Sequence, residues 1–113
     1  MLKNKAAIAG ITLFLLTCAG GVAAQEVDAD AAKSLFGKSG CKKCHDPVKD
    51  KNGPSFEKTS AKYKGKADAE EKLWTHLTTN PIVKYDDKEE KHISPKTDDQ
   101  GEIRNLIRWI LSH

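Results

Sequence analysis

Five consecutive residues, Cys41-Lys42-Lys43-Cys44-His45, constrain this chain more than anything else in it. The spacing C-x-x-C-H is the pattern of covalent haem attachment. Two thiols three positions apart can add across two vinyl groups on one porphyrin edge, and the adjacent histidine is then carried under the iron. Rival readings of the cysteines fit less well. A structural zinc site wants four protein ligands, and no second cysteine or histidine pair stands at comparable spacing. A thioredoxin-like dithiol needs a strand before its helix, whereas this pair follows a helical pattern. A disulfide across two residues would close a very small loop and stabilise little. One haem c bound through Cys41 and Cys44, with His45 on the iron, is the expected cofactor.

The chain opens with Lys3 and Lys5, an apolar run from Ala6 to Cys18, and the small residues Val22-Ala23-Ala24 before Gln25. That is the layout of a cleaved export signal over residues 1–24, and the apolar run is too short and wrongly flanked to span a membrane. A retained N-terminal anchor is the alternative. Thr17 is a poor residue to precede a lipidated Cys18. Removing residues 1–24 from 113 leaves one domain of 89 residues, 25–113, small enough to need a staple such as a cofactor. Export would place it in the periplasm. With Lys3 and Lys5 gone, the 19 basic residues become 17 against 16 acidic ones, which argues against nucleic-acid binding.

Four helical patterns and no strand are legible, an all-α arrangement. Asp28 precedes a helix carrying Ala31, Ala32, Leu35 and Phe36 that stops within Gly37 to Gly40. Gly53-Pro54 breaks the chain before a short helix over about Ser55 to Lys64, with Phe56 and Tyr63 as anchors. Asp68 with Glu71 has capping-box spacing before Leu73, Trp74 and Leu77, and Asn80-Pro81 ends that helix. Thr97 with Gln100 repeats the spacing before Ile103, Leu106, Ile107, Ile110 and Leu111, which share one helical face beside Trp109. Pro81 to Lys96 reads as a long polar loop around His92, and loops of that length are commonly functional or disordered.

Around the motif, Leu35-Phe36-Gly37-Lys38-Ser39-Gly40 and Asn52-Gly53-Pro54-Ser55-Phe56 resemble the small bacterial class I cytochromes c. So do Ala61-Lys62-Tyr63-Lys64-Gly65-Lys66, Asp68-Ala69-Glu70-Glu71-Lys72-Leu73 and the terminal helix with Trp109. The resemblance spans about residues 28 to 112. It implies the class I fold, about four short helices wrapped around one haem. It also implies that the Pro54 carbonyl accepts from Nδ1–H of His45, and that the first and last helices cross, bringing Phe36 against Leu106, Trp109 or Ile110. The function implied is single-electron transfer between redox partner proteins, with no catalytic site.

One departure from the family is informative. Its sixth iron ligand is normally a methionine in the loop before the last helix, and the sole methionine here is Met1. His92 occupies that loop, 15 residues after Leu77 with Pro95 beyond it, and imidazole is a good iron ligand. His92 is therefore the expected distal ligand, with His76, Lys88, Lys91 or an open iron as alternatives; His113, at the end of the chain, is expected to fray. A second imidazole in place of methionine lowers the potential. Lys38, Lys42, Lys43, Lys49 and Lys51 flank the attachment site against Asp46 and Asp50. They form either a basic rim that steers partners with acidic docking surfaces or an ordinary solubilising mixture of charges. The expected protein is a monomer with no stable membrane insertion after signal cleavage. Two other functions stay open: a sensor that binds a small gas when His92 leaves, and a subunit of a larger oxidoreductase.

Overall fold

A computed structural model describes residues 26–113. The expected export signal, its cleavage before Gln25 and Cys18 lie outside the described residues. Within them the elements run α1 (Ala29–Lys38), one turn of 3-10 helix (Cys41–Lys43), α2 (Phe56–Tyr63), α3 (Ala69–Thr78), β1 (Ile82–Tyr85), β2 (Lys88–Lys91) and α4 (Gln100–Leu111). No helix among the described residues is long and apolar enough to cross a membrane.

Helix starts follow side-chain chemistry, though not always at the residue the spacing suggests. Asp28 caps α1 by accepting from the Ala31 amide at 3.0 Å, and the Ser55 hydroxyl caps α2 by accepting from Lys58 at 3.1 Å. Asp68 does not cap α3. Its backbone, at φ −95° and ψ 8°, is not in the extended form that turns a cap side chain toward the first amides. Its carboxylate pairs with Lys72 at 3.1 Å instead. Before α4 the cap is Asp99, not Thr97. Asp99 Oδ1 accepts from Gly101 and Glu102, while Thr97 bonds the Glu102 carboxylate and the Asp99 amide.

The core forms where α1, α2 and α3 meet α4. Leu106 and Ile107 of α4 are fully buried, among Ala32, Leu35, Phe56 and Leu73. Phe36 meets Trp109 edge-on at 5.8 Å and Phe56 at 5.2 Å, and Phe56 meets Trp109 at 5.4 Å. That triangle places Phe36 against the last helix as the resemblance implied. Asn105 locks the crossing with two bonds to the Asp28 backbone, at 2.9 and 2.8 Å. Arg104 lies over Trp74 at 4.5 Å and reaches Glu71, tying α3 to α4. His113 does not fray: its ring packs on Trp109 at 4.9 Å, with Nδ1 2.8 Å from the Trp109 carbonyl oxygen.

The segment expected to be a structureless loop contains an antiparallel hairpin, with Ile82 opposite Lys91 and Tyr85 opposite Lys88. Lys84 and Glu89 face each other and pair at 2.7 Å. Two residues, Asp86 and Asp87, make the turn, and Asp86 takes the left-handed φ of 49°. β2 is four charged, exposed residues, so no apolar alternation betrayed it in the sequence.

Candidate haem site

Gly40, at φ 77°, turns the chain sharply from the end of α1 into the 3-10 turn. Three residues per turn align positions i and i+3, so Cys41 and Cys44 open on one cavity. Both thiols are free, and burial above all raises the pKa of Cys41. Buried Ser39, just ahead, accepts from the Lys96 amide at 2.8 Å. The far end of the hairpin segment is thereby tied to the start of the cysteine turn.

His45 stands at the cavity floor. Its Nδ1 lies 2.8 Å from the Pro54 carbonyl oxygen, an acceptor that requires the proton on Nδ1 and leaves Nε2 with a free lone pair. The loop that delivers Pro54 is itself braced. The Gly53 amide donates to the Cys44 carbonyl at 2.8 Å, folding the chain back against the ring. Asp50 accepts from the Ser55 amide and from Lys58, and these bonds hold its pKa below the usual carboxylate value. Phe56 stacks beside the imidazole at 5.9 Å and 22°.

His92 faces His45 from the end of β2. Their ring centroids are 6.1 Å apart. The residue is held at its backbone, where its amide donates to Pro81 and its carbonyl accepts from the Asn80 side chain, each at 2.8 Å. Asn80 tolerates a left-handed φ of 48°, and its amide also reaches Ser94, so one side chain closes both ends of the hairpin segment. Burial, then the proximity of His76 and His45, draws the pKa of His92 down to about 4, so the ring is neutral at pH 7. Its Nδ1 is buried and closes no hydrogen bond; the nearby Ile93 backbone only opposes the shift. His76, on α3 between Leu73 and Leu77, sits 4.3 Å from the His92 ring. Lys91 also borders the cavity, whereas Lys88 does not.

His45 and His92 both border a cavity of about 750 Å³ whose surface is mainly apolar. Its dimensions allow a direct test of fit. With metal–nitrogen bonds of about 2.0 Å and each ring centre about 1.1 Å behind its nitrogen, two imidazoles on opposite sides of one ion stand about 6.2 Å apart. The observed 6.1 Å matches. The residues present therefore fit a haem: two thiols and two imidazoles, spaced as two ligands of one ion would be, would hold it in one cavity with a mainly apolar surface. Sequence reasoning missed the part played by Gly53, Asp50 and Asn80. The Gly-Pro pair hinted at the first; nothing local marked the others.

The basic residues near the attachment turn, Lys38, Lys42, Lys43, Lys49 and Lys51, are all exposed. Lys51 donates to the Lys42 carbonyl, which fastens the loop to the turn. Lys58, Lys62, Lys84 and Lys91 border the cavity, with Glu90 as the one acidic residue among its lining. Tyr85 hydrogen-bonds Glu90 across the hairpin, which raises the pKa of the phenol.

Comparison with known proteins identifies the family and the fold. The cytochrome c family profile matches residues 29–113. The crystal structure of class 1 cytochrome MtoD from Sideroxydans lithotrophicus ES-1 is 47% identical and superposes with a TM-score of 0.73, covering 77% of this chain and 97% of that one. Cytochrome c552 from Nitrosomonas europaea shares the fold at 23% identity and a TM-score of 0.56, covering 71% of this chain and 96% of that one. No curated protein sequence matches significantly.

Proposed function

This chain belongs to the cytochrome c family, and from that premise we propose that it is an exported, single-haem electron shuttle of the periplasm with histidine on both sides of the iron. Cys41 and Cys44 hold the haem, His45 is the proximal ligand, Pro54 fixes its tautomer, and His92 is the distal ligand. The bound group supplies one-electron exchange between ferric and ferrous iron. The chain's own part is to hold two imidazoles, exclude water with Phe36, Phe56, Leu73 and Leu106, and present an exposed edge to partners. With both axial positions taken, no substrate site is assigned at the iron.

The 6.1 Å separation of His45 and His92 carries this reading. A second imidazole in place of methionine favours the ferric state and lowers the potential, suiting a chain of modest driving force. The exposed lysines near the attachment turn suit partners with acidic docking surfaces.

The test is spectroscopic. The exported protein should retain its haem through acid–organic extraction and lose it in a Cys41→Ala, Cys44→Ala double variant. The ferric wild type should be low-spin without the near-infrared band of methionine ligation, and His92→Ala should change its EPR g-values and potential. Complete extraction of haem from the wild type would refute the attachment; an unchanged His92→Ala spectrum would refute the distal assignment.

A further inference from the structure

The distal side of the cavity holds two imidazoles, and the ligand assignment uses one. His76 touches His92 at 4.3 Å between ring centres, tilted by 54°, and no hydrogen bond joins them. A linear bond between two imidazoles would hold the ring centres farther apart, at about 5 Å, since the nitrogens alone need about 2.9 Å. Bracing His92 through a shared proton is therefore not what the contact does. The two rings lie side by side on the same wall of the cavity.

Their supports differ. His92 hangs from a hairpin whose second strand is fully exposed and whose turn carries a left-handed aspartate. Such segments open at a small fraction of the global unfolding cost. His76 is carried by α3, which Leu73 and Leu77 bury against the core and which Arg104 and Arg108 tie to α4. It borders the cavity from a helix that stays in place when the hairpin swings out.

We propose that His76 is a reserve distal ligand, taking the sixth position of the iron whenever the hairpin carries His92 away. The inference rests on the haem-binding reading above. A vacated position would have a tethered imidazole nearby, its centre 4.3 Å from that of the His92 ring, at an effective concentration of the order of millimolar or more. Recapture by His76 shortens the interval in which the sixth position is open, so each opening of the hairpin admits a small ligand only slowly. It gives the shuttle two ligation states that differ in which histidine is bound.

The holoprotein variants His92→Ala, His76→Ala and the double variant test this, with His76→Leu and His92→Gln guarding against misfolding and far-UV circular dichroism as the folding control. His92→Ala should stay low-spin, with EPR g-values of a different imidazole pair, and should bind carbon monoxide slowly. The double variant should be high-spin, bind the gas at once, and return to low-spin with added imidazole. His76→Ala should keep the wild-type spectrum but bind carbon monoxide about tenfold faster, because opening is no longer followed by recapture. If His92→Ala is already high-spin and as fast as the double variant, the reserve role is overturned while the assignment of His92 stands. Persistent low-spin iron in the double variant would also overturn it, by assigning capture to a lysine. An unchanged wild-type spectrum in His92→Ala would overturn the distal assignment itself.

Discussion

The backbone of Gly53 lies so close to the His45 ring that a Cβ placed on it would fall 2.3 Å from Cε1 and 2.8 Å from each ring nitrogen. No real Cβ tolerates such a contact, so either the ring or the loop must move. Gly53→Ala should therefore displace the imidazole from the Pro54 carbonyl and cost about 1–3 kcal/mol, the usual range for overpacking. Denaturant unfolding measures the cost. The accompanying loss of ligand orientation should appear as a changed potential and altered ferric EPR spectrum. Unchanged values for both would mean the loop has slack the geometry denies.

The carboxylate of Asp50 offers a second handle on the same loop. Its pKa is lowered by the Ser55 amide, then by Lys58, so the folded state binds its proton less readily than the unfolded chain. The sign follows: its contribution is complete above the unfolded value of 3.8 and fades as pH falls through the lower folded value. Asp50→Asn should thus be less stable than wild type at pH 7. The gap between their urea midpoints should narrow below about pH 4. A gap that stays constant down to pH 3 would show that the amide loses something other than charge.

The exposed lysines around the attachment turn predict a salt effect. Charges in water are screened within about 10 Å at 0.1 M ionic strength, so steering by a basic rim weakens as salt is added. Electron exchange with an acidic small protein should slow as ionic strength rises, and Lys42→Glu, Lys49→Glu should flatten the dependence. Stopped-flow kinetics at several salt concentrations settles it. A salt-independent rate would reduce these lysines to solubilising charges.

How much of this could be read in the sequence depends on the range of the interactions. The haem motif, the face of α4 and the meeting of Phe36 with Trp109 follow from short spacings and a family pattern. Asp68 does not cap because its backbone is not extended, and before α4 the extended residue that caps is Asp99, two positions after Thr97, which spacing alone does not reveal. The hairpin is hidden in the sequence because β2 has no apolar face and its turn carries no glycine. The closeness of His76 to His92 was hidden too, since the contact joins a helix to a hairpin 16 positions on. Short-range chemistry was legible; long-range contact was not.

The hairpin also decides between shuttle and gas sensor. On the ligation proposed above, carbon monoxide needs one of the two axial positions, and His45, anchored beside Cys44 and bonded to Pro54, is the harder of the two to displace. The gas must therefore wait for the hairpin carrying His92, whose closure rests on Asn80 and the Pro81 carbonyl. Two substitutions push that closure in opposite directions. Asn80→Ala removes the bonds to His92 and Ser94 and places a less tolerant residue at φ 48°, so it should open the hairpin more often. Asp86→Gly relieves the left-handed turn, worth up to about 1 kcal/mol, and should open it less often. For a shuttle, reduced wild type binds carbon monoxide slowly at neutral pH, Asn80→Ala binds it faster and Asp86→Gly slower still. Flash photolysis and stopped-flow mixing give the rates. Rapid, stoichiometric binding by the wild type, insensitive to both substitutions, would instead make the distal side an open door and the protein a gas-binding one.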